Sequence, residues 1–187
     1  FKSLWDKGLI YEGSKSLAYC PRCSTPLSNF EVNQGYQDTQ DPSITVRFKV
    51  VGEENLSILA WTTTPWTLPS NMGLAVGRDI RYVRVKLKDD EQLILAEALV
   101  KQVFKKHEDE IEQVEPQSVD ELLQMRYEPL FSYFADQAAE GAFRVVAADF
   151  VSTEDGTGVV HTAPGFGEDD YRLGMREGLP VVSPIDE

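Results

Sequence analysis

The chain has 187 residues, 42% of them hydrophobic and 26% charged, with a net charge of −13 and two cysteines. That length suits one domain with its own core, while two cysteines exclude a disulfide scaffold. No apolar run could span a bilayer, and no signal-peptide pattern opens the sequence. The negative charge excludes a broad grip on a nucleic-acid backbone, where affinity comes from neutralised phosphates. Contact with a short nucleic-acid end, with the positive field supplied elsewhere, stays open. Starting at Phe1 and stopping at Glu187 without a tail, the chain reads as a segment of a longer protein, and a cytoplasmic location is expected for it.

Leu4, Trp5, Leu9 and Ile10 fall near helical spacing and predict an amphipathic helix over 1–13, ended by Gly13. A short strand over 16–19 leads into Cys20-Pro21-Arg22-Cys23. The C-x-x-C spacing fits half a tetrahedral zinc site, and equally a Pro-containing turn with incidental thiols. The chain has no other cysteine and only His107 and His161, so a full site needs ligands from outside it. Residues 26–40 are polar and turn-rich. Ile44, Val46, Phe48 and Val50 then alternate with Thr45, Arg47 and Lys49 as a strand, and 56–61 returns as its buried hairpin partner.

The hairpin delivers Trp61-Thr62-Thr63-Thr64-Pro65-Trp66-Thr67-Leu68-Pro69-Ser70-Asn71. β-branched threonines favour extended backbone, and Pro65 and Pro69 each stop the ladder. A rigid turn presenting hydroxyls and backbone N–H groups beside a large ring is expected, suited to a polar aromatic ligand such as a nucleotide end. A threonine-capped loop packing two tryptophans into a core fits the same residues. Strands are expected over 72–76, 80–87 and 93–96, and a helix over 97–107 with Leu99, Val100, Val103 and Phe104 as its apolar stripe. Ser118-Val119-Asp120-Glu121 has the spacing of a capping box opening a helix through Met125. Strands over 143–151 and 159–161 follow. Many short strands with scattered helices predict an α+β fold, mainly a barrel-like β core with peripheral helices.

A second informative stretch is Gly156-Thr157-Gly158-Val159-Val160-His161-Thr162-Ala163-Pro164-Gly165-Phe166-Gly167-Glu168-Asp169-Asp170-Tyr171. Here a strand ends in histidine, and after a Gly/Pro loop three acidic residues open a helix ended by Gly178. Acidic residues in a first helical turn are favourable through the dipole alone, which accounts for Glu168 and Asp169.

Together the two stretches resemble the editing domain of isoleucyl-tRNA synthetases, the insertion in their connective polypeptide. In that family T-T-T-P-W-T-L-P-x-N is paired with H-T-A-P-x-x-G-x-x-D. Thr62 to Pro69 and Asn71 match the first motif, and His161, Thr162, Ala163, Pro164, Gly167 and Asp170 the second. The resemblance runs the whole chain, since Thr25 to Glu31 also looks like the family's lead-in. It implies one editing domain over 1–187, with a lead-in over 1–40 and a hydrolytic module over 41–187. Editing domains for valine and leucine carry Arg-Pro-Asp or Arg-Pro-Glu after the paired threonines, whereas Pro65-Trp66-Thr67 stands here. Some family members have histidine where this chain has Phe166, so no role for a second imidazole carries over.

The implied reaction is hydrolysis of valine mischarged on the isoleucine tRNA. One methylene gives a hydrophobic pocket only about 1–3 kcal/mol, and this enzyme family is the standard instance of that limit. By resemblance Asp170 holds the α-ammonium group and, with Thr63 and Thr64, is catalytic. Thr62, Trp66, Thr67, Asn71 and His161 bind substrate, with His161 lining the amino-acid pocket and Trp66 walling it or stacking on adenine. No serine or cysteine sits beside a base, so a positioned water is the expected nucleophile. Neither a metal nor a cofactor is expected in the reaction. The expected partners are the aminoacylated 3′ end of the isoleucine tRNA and the rest of the synthetase, and not a membrane. A non-hydrolytic module that captures an aminoacylated end, or an acidic protein-interaction insertion, are the alternatives.

Overall fold

The computed structural model describes residues 1–13 and 17–185, which form two compact units, the second beginning at Asp38. In the first, α1 (Lys2–Trp5) gives way to a turn through Gly8, well before Gly13. Gly8 takes φ 67°, and Leu9 N reaches back to Leu4 O at 3.0 Å, the left-handed glycine cap that ends a helix. The strand expected over 16–19 begins outside the described residues, and β1 occupies Tyr19–Cys20, paired with β2 (Thr25–Pro26). Within the expected turn-rich segment lies α2 (Asn29–Asn33), opened by a capping box. Ser28 Oγ accepts from Glu31 N, and Glu31 Oε2 accepts from Ser28 N at 2.8 Å.

The second unit is built on β3 (Ile44–Lys49), β4 (Leu56–Thr62), β5 (Gly73–Val76), β6 (Tyr82–Leu87) and β7 (Gln92–Ala96). After these come α3 (Val100–Val103), β8 (Ile111–Gln117), α4 (Val119–Leu122), β9 (Arg144–Ala147), β10 (Val159–Thr162) and α5 (Glu168–Glu177). The sheet order is β8-β6-β7-β4-β10-β5-β9, with β3 also on β4. β3 takes one whole edge of β4. The other edge is therefore divided: Leu56 to Ile58 pair parallel with β7, and Trp61 pairs parallel with Val160 of β10. The sheet forks at Leu59. Thr157 fills the fork, donating its hydroxyl to Leu59 O at 2.8 Å and accepting from Ala96 N at 2.9 Å. Beside it Gly158 has φ 72°, and a Cβ there would stand 2.4 Å from the Ala96 methyl, so only glycine fits. The result is the curled, mixed, barrel-like sheet with peripheral helices that the sequence predicts.

Two buried clusters explain why β4 and β7 lack polar alternation. Phe48, Ile58, Met72, Leu74, Ile94 and Tyr127 pack in the larger cluster, and Leu59, Val85, Leu93, Leu95 and Phe104 in the other. Neighbouring residues such as Ile58 and Leu59 therefore face different cores, as in strands covered on both sides. Truncating a fully buried Ile58 to alanine costs about 2–5 kcal/mol by lost transfer and cavity.

Several elements depart from expectation. The helix over 97–107 is a 3-10 turn over Glu97–Leu99 followed by the short α3. It unwinds after Phe104, the last of its residues to reach the core, where Lys105 and Lys106 are exposed. No side chain caps α4 at Ser118, because Glu121 accepts from Gln117 Nε2 at 3.1 Å instead. β8 gives no sequence signal, since an edge strand paired only to β6 has mostly exposed residues and tolerates Pro116. Among the described residues no helix is long and apolar enough to cross a membrane.

Candidate functional site

The parallel pairing of Trp61 with Val160 sends both motif stretches out of the sheet in the same direction. After β4, Pro65–Ser70 forms a 3-10 helix with Pro65 at its start, so the turn is rigid as expected. Its amides are less free than expected: Thr64 N donates to Thr62 Oγ1 at 3.0 Å, and the Thr62 and Thr64 hydroxyls lie 3.2 Å apart. Thr67 donates its hydroxyl to Thr64 O at 2.8 Å. Thr62 and Thr67 are thus buried supports, while Thr63, Thr64 and Trp66 are exposed.

His161 lies beneath this turn, with Nε2 at 2.9 Å from Thr67 Oγ1 and Nδ1 at 2.8 Å from Asn71 Nδ2. Counting donors settles the tautomer. Gly73 O only accepts, and Asn71 Nδ2 donates to it at 2.9 Å, which fixes the amide orientation. His161 Nδ1 therefore accepts, and Nε2–H donates to Thr67, whose own hydrogen is committed to Thr64 O. Burial pushes the imidazole down to about 4, so it stays neutral. Tyr127 completes the floor, donating its hydroxyl to Asn71 Oδ1 at 2.6 Å. His161 and Asn71 are both buried with their polar side-chain atoms engaged, a position from which they hold the threonine turn. Tyr127 escaped the sequence reading because nothing local distinguishes a tyrosine bonded to an asparagine 56 positions away.

Asp170 stands in the first turn of α5, half-buried, accepting from Ala163 N at 3.1 Å. Burial raises its carboxyl to about 6; the Ala163 N–H opposes that rise, and the charge of Asp169 adds to it. Among the described residues no basic side chain pairs with Asp170, and the nearby Arg172 is engaged by Glu168 at 2.7 Å. Gly167 lets the carboxylate fold back, since a Cβ there would meet Oδ2 at 3.3 Å. Ala163 directly follows β10, so the carboxylate and the threonine turn sit at the same end of the sheet. A desolvated carboxylate without a cation, beside exposed hydroxyls and a neutral network, is suited to an ammonium-bearing polar ligand.

Other features stand apart. A cavity of about 540 Å³ lined by Arg47, Leu59, Leu93, Phe104 and His107 contains none of the motif residues. His107, at the rim of that cavity, pairs with Glu110 at 2.7 Å. In the first unit, Cys23 N donates to Cys20 Sγ at 3.3 Å, and that contact lowers the Cys20 thiol. This turn suits a thiolate ligand, but among the described residues no group of three or more His, Cys, Asp or Glu could hold a metal.

The family model of class I tRNA synthetases (I, L, M and V) matches residues 1–159. Isoleucine--tRNA ligase from Bdellovibrio bacteriovorus is 54% identical over 188 residues, covering 100% of this chain and 18% of that protein. The cytoplasmic isoleucine--tRNA ligase of Saccharomyces cerevisiae is 46% identical over 181 residues, covering 96% of this chain and 17% of its own length. The chain thus spans about a fifth of the length of the curated relatives it matches. Among solved structures, the P. knowlesi cytosolic leucyl-tRNA synthetase editing domain shares the fold. Its TM-score is 0.55 at 14% identity, over 74% of this chain and 62% of that one. Sequence match and fold agree, and the chain belongs to the class I tRNA synthetases.

Proposed function

We propose that this chain is the editing domain of an isoleucine–tRNA ligase and hydrolyses the ester of valine mischarged on the isoleucine tRNA. The observation that carries the reading is Asp170, a desolvated carboxylate without a cation at the sheet end where Thr62 to Thr67 emerge. The α-ammonium of the aminoacyl group supplies the missing charge. Thr63 and Thr64 position the ester and a water nucleophile, with the ribose hydroxyl as a further donor. Thr62, Thr67, His161 and Asn71 hold that turn in place. His161 also walls the pocket against isoleucine, and Trp66 stacks on the terminal adenine.

The rest of a longer synthetase supplies the ligase reaction and the positive field that an acidic domain lacks, and a cytoplasmic location accords with this reading. Cys20 and Cys23 provide half of a zinc site, and its other ligands come from outside this chain; the hydrolytic step involves no metal.

A deacylation assay tests the reading, with valyl- and isoleucyl-esters of the isoleucine tRNA offered to the full-length protein carrying this chain. Rapid loss of the valyl ester with the isoleucyl ester spared is expected. Tight binding of both without hydrolysis would make the chain a capture module, and binding of neither would leave only a protein-interaction role.

A further inference from the structure

The segment between Glu128 and Ala142 leaves and rejoins the fold at the floor of the candidate site. Tyr127 at its start bonds Asn71, and Phe143 N at its end donates to Met72 O at 2.8 Å, so consecutive residues tie down both ends. Within it, the 3-10 turns over Ser132–Glu140 pack against Pro65–Ser70, the segment that carries Trp66. Leu130 and Phe134 pack onto the larger core. Phe131 and Tyr133, set between them, are turned outward and are 44% and 71% exposed. Their rings stack with centroids 5.9 Å apart and planes 23° from parallel. Trp66 on the adjoining segment is 68% exposed. Two large rings are thus held in solvent by a loop whose other large apolar side chains, Leu130 and Phe134, are anchored, which marks a contact surface.

Resting on the editing reading above, we infer that the Phe131–Tyr133 stack is a platform for the unpaired bases that precede the terminal adenosine of the RNA. Charge favours that occupant's base faces over its phosphates. Between Glu128 and Ala142 there is no Lys or Arg, while Glu128, Asp136 and Glu140 are acidic. Stacking on the two rings tolerates any base, while the cations that track the phosphates of a bound single strand come from the rest of the longer synthetase, as in the reading above. The loop's tie to Asn71 and Met72 makes the platform continuous with the site that takes the terminal residue.

The test compares hydrolysis of valyl-tRNA and of valyl-adenosine by the full-length protein and by its Phe131→Ala/Tyr133→Ala variant. Loss of base stacking should raise KM for valyl-tRNA about tenfold with kcat unchanged. Valyl-adenosine, which has no preceding base, should be hydrolysed as before. Tyr133→Trp, keeping a ring, should retain the native KM. An unchanged KM for valyl-tRNA overturns the inference. Equal losses on both esters overturn it too, assigning the rings to support of the loop or to a protein contact. If the unsubstituted protein cleaves neither ester, the editing reading itself fails.

Discussion

Asp170→Asn should make the protein more stable and less active at once, because the structure keeps this carboxylate in a place that disfavours its charge. Its carboxyl is raised from 3.8 to about 6, first by burial. The sign follows from proton linkage. Between about pH 4 and 6 the unfolded chain releases the proton while the folded chain retains it, so stability falls as pH rises through that window and levels off above it. The full displacement corresponds to about 3 kcal/mol. Water reaches a half-buried group, which lowers the expected contribution to about 1–3 kcal/mol.

Asparagine keeps an oxygen for the Ala163 N–H and has no proton to lose. The variant should therefore melt close to the native protein at pH 4 and several degrees higher at pH 8, at about 2–4 °C per kcal/mol for a chain this size. Hydrolysis of the valyl ester should fall by about two orders of magnitude or more, since one partner of a desolvated charge pair is gone. Asp169→Asn, altering an exposed neighbour, should change neither property much. Scanning calorimetry against pH and a deacylation assay supply the two readouts. A variant melting below the native protein at pH 8 would refute the desolvation argument, and a fully active one would place the ammonium elsewhere.

For native protein, kcat/KM for valyl-ester hydrolysis should drop about tenfold per pH unit below about 6, as Asp170 takes up a proton; a profile flat to pH 4.5 contradicts its role. Tyr127→Phe leaves Asn71 Oδ1 buried and unpaired, so the urea midpoint should fall by the equivalent of about 1–3 kcal/mol with an unchanged m-value. No change in midpoint would mean that the amide finds another donor. His161→Ala should raise isoleucyl-ester hydrolysis relative to valyl, and a constant ratio would restrict the imidazole to its bonds with Thr67 and Asn71. Purified 187-residue chain dialysed against a chelator should hold far less than one equivalent of zinc by atomic absorption; stoichiometric metal would reveal ligands beyond Cys20 and Cys23.

The local sequence settled what local physics decides. Alternation and turn residues placed the β3–β4 hairpin, and paired prolines stopped the ladder at Pro65. Gly178 ends α5 as its sequence predicts, in a left-handed conformation at φ 69°. The two motif stretches named the residues gathered at the candidate site. Where competing local signals were of equal strength, the outcome depended on contacts. Ser28 and Ser118 head the same S-x-x-E pattern, yet only Ser28 forms the box, because Gln117 engages Glu121. The tertiary structure alone determined that β4 shares one edge between β7 and β10, bringing segments about a hundred residues apart to one sheet end. It also determined that His161 is neutral and braces Thr67, that Tyr127 orients Asn71, and that Asp170 is desolvated without a cation. Hydrogen-bond partners and burial are set by distant segments of the chain, so no window of neighbouring residues encodes them.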